Sequence, residues 1–243
     1  MEQPKEALAR WLREHTIDLS DSQLDQFEIY YEELTSWNER MNLTGITERG
    51  AVYEKHFYDS VSLAFFVPMN ELETIADIGS GAGFPSIPLK IVFPHLKVTI
   101  VDSLQKRIGF LHHLVKKLGL DHVECVHGRA EDVARNPIYR DRYDAATARA
   151  VARMNVLAEF CLPFVRTGGQ FIAMKGSDPS DELIEATYAF RELGGKLVRD
   201  ISLQLPLEQS GRHIIVVEKM KPTPKAYPRK PGTPLRSPLV LTN

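Results

Sequence analysis

Gly79, Gly81 and Gly83 alternate with small residues in the stretch from Asp77 to Pro88, DIGSGAGFPSIP. Glycine permits positive φ and lets a ligand approach the backbone closely. The residues before the loop read as a buried strand, and SIPLKIVF after it reads as the start of a helix. Strand, glycine turn and helix together describe a nucleotide-cofactor site, with helix N–H groups facing the ligand. Such a turn could take a phosphate, a dinucleotide or a cofactor without phosphate. A P-loop needs Gly-x-x-x-x-Gly-Lys-Ser/Thr, and nothing here matches it. A dinucleotide turn needs its third glycine at position 84, which is Phe84. The spacing G-x-G-x-G suits a ligand without a pyrophosphate, such as S-adenosylmethionine.

In an open α/β sheet the ligand lies beyond the carboxyl ends of the strands, so each strand end can be searched for chemistry. Asp102 ends the second strand candidate, nineteen residues past Gly83, where a carboxylate can accept both ribose hydroxyls of an adenosine. Ala130 and Glu131, in GRAED, fall after the third strand where an adenine would lie; Glu131 and Asp132 also suit the first turn of a helix. After the fourth strand, ATARAVARMN has neither the Asn/Asp-Pro-Pro-aromatic motif of amino-group methyltransferases nor a Pro-Cys nucleophile. Arg149 and Arg153 occupy that region and suit phosphate contact. Lys175, at the end of the fifth strand, is a further candidate for the substrate rim. No residue is assigned as general base or nucleophile. His56 and Asp59, three apart on a helix, are expected to form a satisfied pair at a junction. His112 and His113 point in different directions. Cys125 and Cys161 lie in apolar runs and are expected to be buried thiols, so no metal site or disulfide is expected.

The elements that must position these residues fall into three parts. Residues 1–70 read as a helical extension. Ser20 and Gln23 form a capping box, and Leu24, Phe27, Tyr31, Leu34, Trp37 and Met41 recur at helical spacing as a core stripe. A second helix is predicted from about Glu48 to Phe66. Residues 71–220 alternate strand and helix, with seven strand candidates: ETIADIG, KVTIVDS, VECVHGR, DAATARA, QFIAMKG, KLVRDISLQL and HIIVVEK. The last two follow each other closely and suggest an antiparallel pair closing a parallel sheet. Residues 221–243 are proline-rich, expected to be extended and without helix. Charge is divided unevenly: −8 over residues 1–72, zero over 73–218 and +6 over 219–243. The basic end is a candidate nucleic-acid contact, with Arg229, Lys230 and Arg236 among its cations. No signal peptide is visible and VSLAFFV is far too short to span a bilayer, so no membrane role and a cytoplasmic location are expected.

The motifs NLTGI, HFYDS, DIGSGAGFPSIPL, VDSLQKRIGFL, GRAED, ARAV, MKG and YPRKPGTPLRSPL occur in this order across nearly the whole chain. Together they resemble the bacterial small-subunit ribosomal RNA methyltransferase G family, also called glucose-inhibited division protein B. Ser86 is a departure, since the family usually has glycine there; it is expected to tighten the loop slightly without abolishing cofactor binding. The resemblance implies an α/β fold with a seven-stranded, mostly parallel sheet, the Rossmann-like class I S-adenosylmethionine-dependent methyltransferase fold. It implies methylation of N7 of a guanine in the 530 loop of 16S rRNA, position 527 in the customary rRNA count. The partner would be 16S rRNA or the small ribosomal subunit, and a monomer is expected. The family's cofactor positions carry over to Gly79, Phe84, Asp102, Ser103, Leu104, Ala130, Glu131 and Arg149, and the glycine pattern adds Gly81.

Such a reaction explains the missing base. N7 of guanine carries a lone pair and no proton, so catalysis reduces to alignment and proximity. Because N7 must stay free, the base would be held by its Watson–Crick edge or by stacking, with arginines on phosphates. The rival readings are a methyltransferase acting on another RNA, a small molecule or a protein, a nicotinamide-dependent oxidoreductase, and an RNA-binding module with a vestigial cofactor pocket. The basic tail weighs against a small-molecule or protein substrate, Phe84 against the nicotinamide reading, and the intact glycine loop with Asp102 against a vestigial pocket, while another RNA stays open.

Overall fold

The computed structural model describes residues 3–176 and 178–241. Helix α1 (Pro4–Arg13) leads to α2 (Asp21–Met41), which starts with the expected capping box. Gln23 N donates to Ser20 Oγ at 3.3 Å, and Ser20 N donates to Gln23 Oε1 at 2.9 Å. The stripe on α2 is core, but Tyr30 rather than Tyr31 is its fully buried tyrosine. The single helix predicted over 48–66 is instead a relay: α3 (Arg49–Val52), a π turn (Tyr53–Tyr58), α4 (Asp59–Val61) and a 3₁₀ turn (Ser62–Phe65). Glu48 caps its start by accepting from Gly50 N and Ala51 N. The wide π turn rotates His56 and Asp59 away from regular helical spacing.

Seven strands form one sheet: β1 (Thr74–Ile78), β2 (Lys97–Asp102), β3 (Val123–His127), β4 (Tyr143–Arg149), β5 (Val165–Lys175), β6 (Gly195–Gln204) and β7 (Gly211–Lys219). Their order is β3-β2-β1-β4-β5-β7-β6, and β7 is antiparallel to both of its neighbours. Helices α5 (Ser86–Val92) and α6 (Gln105–Leu118) share one apolar cluster with the N-terminal helices on one face of the sheet. Helices α7 (Ala130–Val133), α8 (Met154–Cys161) and α9 (Ser180–Glu192) cover the other face, where Leu239 of the tail joins them.

The tail departs from the expectation of a purely extended segment. It contains one helical turn, α10 (Thr233–Arg236), entered through Gly232 at φ +79° and with a proline in its first turn. The fixed φ of proline suits that position, which the overall proline content masks. Arg140 clamps the strap by donating from Nη1 to Tyr227 O at 2.9 Å and from Nη2 to Thr223 O at 2.7 Å. Arg229 meets the fully buried Glu159 through Nη2 at 2.6 Å and Nε at 2.9 Å. Lys219 is also fully buried, donating to Asp141, Leu162 O and Val165 O. Burial pulls its ammonium down to about 8, against the pull of Asp141. The cations of the tail thus divide: Lys219 and Arg229 hold the fold, whereas Lys221, Lys225, Lys230 and Arg236 are exposed.

Candidate active site

The glycine loop leaves β1 with Gly79 at φ +74° and Gly83 at φ +102°, a region L side chains rarely adopt. A Cβ on Gly83 would stand 2.9 Å from the Tyr30 hydroxyl and 2.8 Å from Ile87 Cγ1. That hydroxyl donates to Ala82 O at 2.6 Å, so α2 props the loop from behind. Under the loop, Asp77 Oδ2 accepts from Ser86 N at 3.1 Å, whereas Oδ1 has no hydrogen-bond partner among the described residues. Complete burial pushes the Asp77 carboxyl up to about 7, although the Ser86 hydroxyl and N–H hold it down. The Ser86 N–H therefore serves Asp77 instead of facing a ligand, a correction to the expectation for the helix start. Asp102 closes the loop from β2: its carboxylate accepts from Gly81 N at 3.2 Å and Leu104 N at 2.8 Å, with Arg107 Nη1 at 3.4 Å.

Beside this loop lies a cavity of about 130 Å³ lined by Gly79, Ser103, Ala130, Glu131, Val151 and Leu235, among others. The chain so brings four of the expected cofactor residues together at the ends of β1, β2 and β3. Glu131, buried, also accepts from Gly232 N at 2.9 Å, which draws the strap to the cavity mouth. Phe84 stands elsewhere. Its ring stacks on Tyr30 and His56, with centroids 5.3 and 4.5 Å away, inside the N-terminal core. Its bulk, read from the sequence as a feature of the cofactor turn, joins that turn to the helical layer.

Arg149, at the end of β4, lies 4.8 Å over the Phe84 ring. Its Nη1 donates to Lys55 O at 3.1 Å and Asp59 Oδ2 at 3.0 Å, and its Nη2 donates to His56 Nδ1 at 3.1 Å. Nδ1 also lies 3.2 Å from Lys55 O, and Nε2 meets Thr44 Oγ1 at 2.8 Å, so both ring nitrogens are engaged within the protein. Burial and then the Arg149 charge push His56 down to about 3, so the ring is neutral. The expected His56–Asp59 pair does not form. Both residues converge on Arg149, and Arg212 Nε approaches Asp59 Oδ1 at 3.3 Å from β7.

Arg149 and Lys175 line a second cavity, of about 320 Å³, which also touches Asp59, Ala150, Met174 and Arg212. Ala150 lines this cavity and Val151 the smaller one, so the turn after β4 is their shared wall. Ala150 sits at φ +55°, and Val151 Cγ2 reaches to 2.9 Å from where a Gly79 Cβ would be.

Several expected phosphate ligands are bound within the protein. Lys175 Nζ donates to Glu182 at 2.7 Å and Ala152 O at 2.8 Å, and Arg153 pairs with Glu185 at 2.7 Å on the surface. Arg149 and Arg229 are committed to Asp59 and Glu159. Lys230 and Arg236 are exposed. Cys161 is buried as expected, while Cys125 is only half-buried; burial pushes Cys125 up to about 11 and Cys161 well above its ordinary value. Among the described residues no cluster of three or more His, Cys, Asp or Glu could hold a metal ion. None of their helices is long and apolar enough to cross a membrane.

Sequence reasoning missed Val151, Leu235 and Gly232 beside the cofactor loop, and Arg212 beside Asp59. Gly232 carried a usable signal, a glycine before Thr-Pro, which suits a helix start. Arg212 carried none.

Residues 23–207 match the family rRNA small subunit methyltransferase G. The chain is 53% identical over 236 residues to Ribosomal RNA small subunit methyltransferase G of Brevibacillus brevis, covering 97% of this chain and 99% of that protein. It is 56% identical to the protein of the same name from Bacillus thuringiensis, covering 94% and 95%. Among solved structures, M. jannaschii TYW2 in complex with AdoMet superposes with a TM-score of 0.51 at 18% identity, over 67% of this chain and 75% of that one, a likeness of fold. With its seven-stranded class I architecture, the chain belongs to the rRNA small subunit methyltransferase G family, whose methyl donor is S-adenosylmethionine.

Proposed function

We propose that this methyltransferase acts on N7 of one guanine in the 530 loop of 16S rRNA, position 527 in the customary rRNA count. One observation carries the reading: the cofactor loop and a second cavity meet at a single turn, Ala150–Val151. S-adenosylmethionine supplies an electrophilic sulfonium methyl. Gly79 and Gly81 would admit its amino-acid end against the backbone, and Asp102 would accept its ribose hydroxyls beside Ser103 and Leu104. Ala130 and Glu131 would meet its adenine. The buried Ser80 Oγ, which has no hydrogen-bond partner among the described residues, fits a polar ligand at this loop.

The remaining chemistry suits an acceptor that releases no proton from the attacked atom. His56 is neutral and its Nδ1 is occupied by Arg149. Both cysteines are held as thiols by burial. N7 needs neither group, so the protein's contribution is alignment of two bound partners. Lys221, Lys225, Lys230 and Arg236 would contact phosphates from the exposed strap. The enzyme would act as a monomer in the cytoplasm, where its substrate is assembled.

Nucleoside mass spectrometry and primer mapping of 16S rRNA from a strain lacking the gene test this reading. The expected result is loss of 7-methylguanosine at that one position, restored by the intact gene. Retention of the methyl group, or loss of a different modification, would overturn it.

A further inference from the structure

The second cavity is larger than the mechanism so far requires, and its chemistry is selective. It opens beyond the ends of β4 and β5, on the far side of the Ala150–Val151 turn from the cofactor loop. Ile46, Met174 and Ile214 give it apolar lining beside the cations Lys55, Arg149, Lys175 and Arg212. Its volume, about 320 Å³, lies at the small end of the ~300–1,000 Å³ typical of ligand pockets.

One buried group in it is incompletely used. Asp59 is 4% exposed and belongs to the π-turn relay that the N-terminal layer contributes. Its Oδ2 accepts from Arg149 at 3.0 Å. Its Oδ1 faces a single group, Arg212 Nε at 3.3 Å. An ionised carboxylate offers about four acceptor sites, so with Arg149 and Arg212 in place Asp59 can still take a further donor.

The nucleobases differ in what they could offer it. Guanine presents two adjacent donors, N1–H and N2–H, on its Watson–Crick edge. Adenine and cytosine each place a ring acceptor beside their amino group, and uracil has one donor between two acceptors. A carboxylate facing that edge therefore favours guanine, and it leaves N7, on the other ring, uncovered. Enzymes acting on a base read the extruded base in this way, by its Watson–Crick edge and by stacking between apolar side chains.

We propose that this cavity receives the target guanine and that Asp59 is its specificity-determining acceptor, taking N1–H and N2–H. Arg149 and Arg212 are then positioning residues that hold the carboxylate. The inference rests on the guanine-N7 reading above.

The test compares reconstituted small subunits carrying guanosine or inosine at the target position, since inosine lacks the N2 amino group. Transfer is followed with labelled S-adenosylmethionine, and the methylated atom is identified by mass spectrometry. The parental enzyme should prefer guanosine by at least about tenfold in kcat/KM, as expected for loss of a hydrogen bond to a charged group. Asp59→Asn should slow transfer to guanosine at least about tenfold and bring the guanosine-to-inosine ratio towards one, with cofactor affinity kept. A merely structural role would lower both substrates alike and leave the ratio unchanged, which would overturn the proposal. Equal parental rates on the two substrates would overturn it without any variant, so misfolding of Asp59→Asn does not shelter it. N7 methylation with no preference defeats the pocket assignment alone. Transfer to another atom defeats the N7 reading and the assignment with it.

Discussion

The two ends of the chain both reach the cofactor loop, and they are held by different physics. The N-terminal layer is acidic and docks mainly by burying side chains. Phe27, Tyr30, Leu34, Tyr53 and Phe57 are fully buried and share a cluster with one face of the sheet. Polar ties supplement that burial, such as Gln23 closing the end of α5 at Ile91 O, Gln26 closing α6 at Leu118 O, and Asp59 on Arg149. The C-terminal strap is basic and proline-rich, and directional bonds hold it. Arg140 gathers its carbonyls, Arg229 inserts on Glu159, and Gly232 N meets Glu131. A segment with few apolar residues can be fixed by charged donors that satisfy its backbone, since proline leaves many carbonyls without ladder partners. The apolar layer should therefore be sensitive to lost volume and the strap to a lost charge.

The largest expected effects come from striking each region at its own support. Phe27→Ala should cost about 3–5 kcal/mol of stability by urea denaturation, as large-to-small core changes do. Arg229→Ala should cost a similar amount, about 3–5 kcal/mol, because it strands the buried Glu159 charge. The double variant Arg229→Met with Glu159→Leu should recover most of that loss. A loss under about 1 kcal/mol for Arg229→Ala would place the pair among ordinary surface ion pairs and break the contrast.

Asp77, beneath the loop that both regions reach, should give a pH signature. Its carboxyl is raised from 3.8 to about 7, so the folded state holds a proton that the unfolded chain releases between those values. Stability from this group is highest at low pH and falls as pH rises through about 7. Relative to the parent, Asp77→Asn should gain stability with rising pH and level off above about 7, by roughly 4 kcal/mol in total. A stability difference independent of pH, measured without cofactor, would contradict the assignment.

A smaller effect separates the regions at the loop itself. Tyr30→Phe deletes the bond to Ala82 O and leaves a buried acceptor, so it should cost about 1–3 kcal/mol and weaken cofactor binding. Leu235→Ala removes a side chain that is 53% exposed at the cavity mouth. Its stability should change by less than about 0.5 kcal/mol, with cofactor affinity falling a few-fold by calorimetry. Equal melting losses for the two would erase the distinction between prop and cover.

The least effect on folding should come from changing Lys221, Lys225, Lys230 and Arg236 to glutamine together. The melting temperature should hold, while the log–log salt slope of RNA binding becomes shallower by about 3, from about 0.7 per phosphate contact. A lower melting temperature with an unchanged slope would make these cations structural, like Lys219 and Arg229.

Much of this protein was legible in local order. The strand and helix rhythm from Glu73 onwards located all seven strands, because hydrophobic period is a property of neighbouring residues. Gly79 and Gly83 have the positive φ that their spacing implied, since a tight turn between a buried strand and a helix leaves little else. The capping box at Ser20 formed for the same reason. Partnership was not legible. Whether an arginine faces phosphate or protein depends on which carboxylate the fold brings to it: Asp59 lies 90 residues from Arg149, and Glu159 lies 70 from Arg229. No periodicity records such distances. The π turn and α4 that send His56 and Asp59 to the same guanidinium, and the strap that sets Leu235 beside Gly79, arise from packing among elements far apart in the chain. Sequence by itself determined the sheet, the loop and the family. Tertiary structure alone decided which charges were spent inside the protein and which remained for a ligand, because burying a charge requires a partner that only the completed fold supplies.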